Sequence, residues 1–105
     1  MCGMFTNCNS LANLNLNNII TEQVTTMKEM FWGCESLTNI NLSNFNTKNV
    51  TDMSKMFKYC SSLTNLNLFN FNTKNVIDMN DMFFDCNSLI KKNIITKIET
   101  TLNNL

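Results

Sequence analysis

Three observations predict an α/β repeat solenoid of about three to four coils. Residues 30–55 read MFWGCESLTNINLSNFNTKNVTDMSK and residues 56–81 read MFKYCSSLTNLNLFNFNTKNVIDMND, agreeing at 18 of 26 positions. Looser copies open one period away on either side, at Met4 and Met82. Within each copy the apolar spacing switches from helical to strand-like. A fixed period of this length marks stacked units, because one unit cannot bury its own apolar face. The chain divides into units 4–29, 30–55, 56–81 and a degenerate 82–105, all within one domain spanning 1–105.

Each element follows from that spacing. Val50, Met53, Met56 with Phe57, Cys60 and Leu63 recur every three or four residues, which predicts one face of a short helix. A turn through Ser61 and Ser62 follows. Ile40, Asn41 and Leu42 alternate apolar and polar, which predicts a short half-buried strand. The stretch FNTKN is rich in residues that bond to nearby backbone, so it returns the chain as a loop. Thr51 stands where an N-cap for the next helix belongs. Stacking then sets like on like. The columns are Phe5, Phe31, Phe57, Phe83; Cys8, Cys34, Cys60, Cys86; Leu11, Leu37, Leu63, Leu89; Leu14, Ile40, Leu66; and Leu16, Leu42, Leu68, Ile94. Ile19, Phe45 and Phe71 align further on, as do Val24, Val50, Val76 and Met27, Met53, Met79.

The tail breaks the pattern. Ile95, Ile98, Leu102 and Leu105 are three or four apart among Lys91, Lys92, Lys97 and Glu99. That predicts an amphipathic helix capping the last coil, the alternative being a decayed fourth repeat.

Composition narrows the function classes. Eight Lys balance eight acids and there is no Arg, which argues against a nucleic-acid partner needing a basic face. No apolar run reaches the roughly 18–20 residues of a membrane span. The opening MCGMFTNC lacks the charged and apolar regions of a signal peptide, so a fragment of a longer repeat protein, or a short family member, is expected. Asn makes up 21 of the 105 residues, a bias an AT-rich genome also produces.

The repeated string M-F-x-x-C-x-S-L-T-x-L-x-L-x-x-F-x-T-x-x-V-x-D-M resembles the BspA-like leucine-rich-repeat surface proteins of bacteria. Units 30–55 and 56–81 carry nearly all of it. The resemblance implies a right-handed, leucine-rich-repeat-like coil, a surface or secreted location, and a role in adhesion or protein binding. Phe45 and Phe71 stand where the common leucine-rich repeat has a buried Asn. No family-wide binding residue transfers to this chain.

The residues that invite chemistry are better read as packing. Four columnar sulfurs at rung spacing extend over ~14 Å in a line and cannot converge on one tetrahedral metal. Parallel Cβ vectors make poor disulfides, which leaves buried thiols acting as small hydrophobes, with Cys2 outside the column as the reactive one. With no His, a Cys or Ser nucleophile lacks its usual base, so no enzyme and no cofactor is expected. Asp52 and Asp78 fit helix caps or first-turn charges. The Met positions keep register with the core columns.

Binding is expected on what points outward. The candidate face is Asn13, Asn15, Asn39, Asn41, Asn65, Asn67 and Phe69, against the alternative that these amides bond to one another along a ladder. Trp32 and Phe84 occupy the most variable column, with Thr6 and Lys58, and are candidate exposed anchors for a protein or host-surface ligand. Coil-to-coil self-association is a further possible partnership. Asn49-Val50-Thr51 also matches a glycosylation acceptor.

Overall fold

The computed structural model describes residues 1–10, 12–89 and 93–95. Four two-residue strands occur among them: β1 (Asn13–Leu14), β2 (Asn39–Ile40), β3 (Leu66–Asn67) and β4 (Ile94–Ile95). β1 pairs β2 in parallel, with Asn13 opposite Asn39 and Leu14 opposite Ile40, one period apart. β3 pairs β4 in parallel, with Leu66 opposite Ile94. That last pairing corrects the expected register. Ile94 belongs to the Leu14, Ile40, Leu66 column rather than beside Leu68. A slip of two residues leaves the same face inward, because strand side chains alternate with period two. Ile94 is accordingly buried. Ile95, expected in a cap helix, lies in β4 instead; Ile98, Leu102, Leu105 and the column position Leu11 fall outside the described residues.

The predicted short helices do not form; runs of turns occupy 28–33, 54–59 and 80–85. In these runs the backbone amides alternate between two uses. Those of Met27, Glu29, Phe31 and Gly33 donate to the carbonyls of Asp52, Ser54, Met56 and Lys58 in the next unit, at 2.8–3.0 Å. Those of Met30, Trp32 and Cys34 close turns on the carbonyls of Met27, Glu29 and Phe31. The next unit repeats the scheme: Met53, Lys55, Phe57 and Tyr59 donate to Asp78, Asn80, Met82 and Phe84. A helix spends its interior amides on its own carbonyls and has none for a neighbour. It also has a costly nucleus, which a run this short repays poorly. The apolar spacing of three and four is the same in both arrangements.

The turns need left-handed residues. Glu29, Lys55 and Asp81 have φ near 57°, and Gly33, Tyr59 and Asp85 occupy a second such position four residues on. Gly33 fits this backbone without strain and lies where a Cβ would run into the Asn7 side chain. Asp52 caps one turn run: its Oδ1 accepts from the amide and hydroxyl of Ser54. Asp78 accepts likewise from the Asn80 amide. Thr51 is no cap; its hydroxyl and amide both donate to the Thr25 carbonyl one unit back.

The core is the set of columns. Phe5, Phe31, Phe57 and Phe83 lie ring on ring, with centroids 5.5, 5.4 and 5.8 Å apart and planes within 9° of parallel. Phe45 and Phe71 stack at 6.4 Å. Met30, Met56 and Met82 are wholly buried, as are Cys34 with Cys60 and Leu37 with Leu63.

Candidate binding surfaces

Among the described residues, no buried side-chain nitrogen or oxygen lacks a hydrogen-bond partner. Three of the four columnar thiols donate to the carbonyl of the phenylalanine one unit back: Cys34 to Phe5, Cys60 to Phe31 and Cys86 to Phe57, at 2.9–3.1 Å. Burial raises these thiols well above their ordinary value, Cys34 to about 11 and Cys86 to about 12, with Cys60 also pushed up. They are therefore hydrogen-bonding members of the core as well as small hydrophobes, and are held protonated at neutral pH. All five cysteines are free thiols, Cys2 exposed and Cys8 half-buried. Among the described residues, no three His, Cys, Asp or Glu side chains gather in a way that could hold a metal ion.

Two groups of asparagines behave differently. Asn44, Asn49, Asn70 and Asn75 donate their amides to the carbonyls of Asn17, Glu22, Ser43 and Lys48, one unit back. Thr21 and Thr47 hydroxyls bridge to Asn46 and Asn72 in the next unit, both donating and accepting. These side chains stitch unit to unit, and the amide of the glycosylation-like Asn49 is among those so used.

The second population is the predicted face. Asn13, Asn15, Asn39, Asn41, Asn65 and Asn67 are all exposed, and Phe69 beside them is 53% exposed. Asn15, Asn41 and Asn67 accept the amides of Asn17, Ser43 and Phe69 with Oδ1, leaving their NH₂ groups unspent. Asn13 and Asn39 make no side-chain hydrogen bond, and Asn65 makes one long contact to Thr64 at 3.4 Å. The amide–amide ladder weighed from the sequence is thus not formed among these residues.

The turn side carries a different cluster. Trp32 meets Tyr59 edge to face at 5.5 Å, and Tyr59 meets Phe84 the same way at 5.9 Å. The Lys58 ammonium lies over both the Tyr59 and Phe84 rings and 3.6 Å from Asp81. Of the predicted anchors, Phe84 is exposed at 47%, but Trp32 is half-buried because Tyr59 covers it. Thr6 and Lys58 of the same column are half-buried too. Sequence reasoning missed Tyr59. Its signal was an aromatic in the column otherwise held by Asn7, Gly33 and Asp85.

The chain is a repeat protein whose copies lie side by side in register. It belongs to the DUF285 family, described as a Mycoplasma protein of unknown function, whose model matches residues 1–102. No curated protein and no solved structure matches it. No described helix is long and apolar enough to cross a membrane.

Proposed function

We propose that the chain is a segment of a right-handed, BspA-like leucine-rich-repeat solenoid, serving as a non-catalytic recognition module in adhesion or protein binding at a cell surface. The observation that carries this reading is the set of exposed asparagines along β1 to β3, with Asn13 in register with Asn39, most of whose NH₂ groups make no hydrogen bond. Asn44, Asn49, Asn70 and Asn75, by contrast, spend their NH₂ groups on inter-unit bonds. The pairing of units one period apart and the ring-on-ring columns support the solenoid. Thiols held protonated in the core make poor nucleophiles, which favours a non-catalytic role. The experiment is retention of a purified partner on the immobilised chain. Phe69→Ala and Asn39→Ala should weaken retention while the thermal midpoint stays in place; silence of both changes would sink the reading.

A second reading rests on Met4, which is 52% exposed where Met30, Met56 and Met82 are wholly buried. A further unit stacked against Phe5 and Cys8 would cover it, making the segment a self-associating scaffold. Light scattering across a concentration series checks this; a strict monomer counts against it.

A further inference from the structure

We propose that the strand face is a docking surface for a linear, uncharged glycan, an inference that rests on the recognition reading above. Two parallel ranks define the face: Asn13, Asn39 and Asn65, and two residues on, Asn15, Asn41 and Asn67. Within a rank, partners on neighbouring strands such as Asn13 and Asn39 repeat at ~4.8 Å, close to the length of one sugar ring, and the two ranks lie ~6.6 Å apart along the strand. The inner bonds decide what each rank offers. Asn15, Asn41 and Asn67 have their carbonyls committed to backbone amides, so they offer donors. Asn13 and Asn39 have both ends unspent, so they offer donors and acceptors side by side. A hydroxyl both donates and accepts, and matches either rank.

Charge excludes polyanions. The outward residues between Ala12 and Asn17, Thr38 and Ser43, and Thr64 and Phe69 include no Lys, Asp or Glu. A polyanion such as nucleic acid or a sulfated glycan finds no cation there. A protein partner would ordinarily meet several aromatic, Met or Arg anchors, and among the described residues whose exposure is given this face offers one large exposed apolar side chain, Phe69. A single exposed ring at the edge of a field of amides suits a sugar, whose C–H side packs on the ring while its hydroxyls bond the amides.

The test is binding of the full chain to immobilised cello-, malto- and chito-oligosaccharides, with heparin as the charged control. Saturable binding to at least one neutral series, insensitive to salt, is expected, with none to heparin. Asn39→Ala and Phe69→Ala should each weaken it by roughly tenfold. Asn75→Ala, which removes an inter-unit bond, should lower the thermal midpoint and leave affinity unchanged. Failure of every neutral series overturns the glycan proposal. If a purified protein partner is then lost with Asn39→Ala, the recognition reading survives alone. If nothing bound responds to either face substitution, both fall.

Discussion

Units 30–55 and 56–81 are nearly the same sequence, and most of their few differences lie off the shared core columns. Phe31 and Phe57, Cys34 and Cys60, Met30 and Met56, and Leu37 and Leu63 are identical and fully buried. Of the eight differing pairs, Ile40/Leu66 alone is buried in both units. Ser43/Phe69 and Thr51/Ile77 are exposed in both; Trp32/Lys58, Gly33/Tyr59 and Lys55/Asp81 lie along the turn edge. An interior side chain must fit the unit before it and the unit after it, so a change in one column position is felt twice. An outer side chain with no bond to the neighbouring unit answers to neither, and most of the differences fall at such positions.

The sharpest way to break that contrast is Phe57→Ala. Its ring is sandwiched between Phe31 and Phe83, so the cavity has aromatic walls on two sides. A loss of about 3–5 kcal/mol is expected in denaturant unfolding. Phe69→Ala, the same chemistry on the outside, should cost a small fraction of that. Making the units alike at the turn edge is the next test. Gly33→Tyr forces a side chain onto a left-handed backbone and displaces the Asn7 side chain, for a loss of about 1–2 kcal/mol. Cys60→Ala removes the thiol bond to Phe31 and some volume, with an expected loss of roughly 1–2 kcal/mol.

The thiols also set a pH window. Their folded values lie above the ordinary 9.0, so the native state binds more protons than the unfolded chain at alkaline pH. Their contribution is intact below pH 9 and is lost as pH climbs through about 11 for Cys34 and about 12 for Cys86. The fall in thermal midpoint over that range should be shallower in Cys34→Ala than in the parent. The smallest effect belongs to Tyr59→Gly. Relief of its left-handed backbone opposes the loss of the Trp32 and Phe84 edge contacts, so the midpoint should barely move.

The period, the columns and the inward and outward sorting of β1 to β3 were legible in the sequence because stacking forces identical residues into register. The turns were not, since Met53, Met56, Phe57 and Cys60 have the same spacing on a helix and on consecutive turns. What separates the two is the destination of alternate amides, a property of the backbone that side-chain pattern does not encode. Gly33 was a clue, but Glu29, Lys55 and Tyr59 adopt left-handed backbone without announcing it. On the candidate face the exposed asparagines were legible from alternation. That they go unbonded to one another was not, because amide orientation is decided by local bonds such as Asn41 to Ser43.

The handing of alternate amides from Met27, Glu29, Phe31 and Gly33 to the following unit makes length a counted quantity. Duplicating a whole 26-residue unit leaves each donor facing a carbonyl of the same kind, so the chain can grow by full copies. An insertion of one residue reverses inside and outside for everything beyond it in a strand. The two-residue shift at Ile94 is the smallest step that preserves the strand's inward face. Sequence change in such a molecule is expected to come as substitutions on the outside and whole periods in length, with little between.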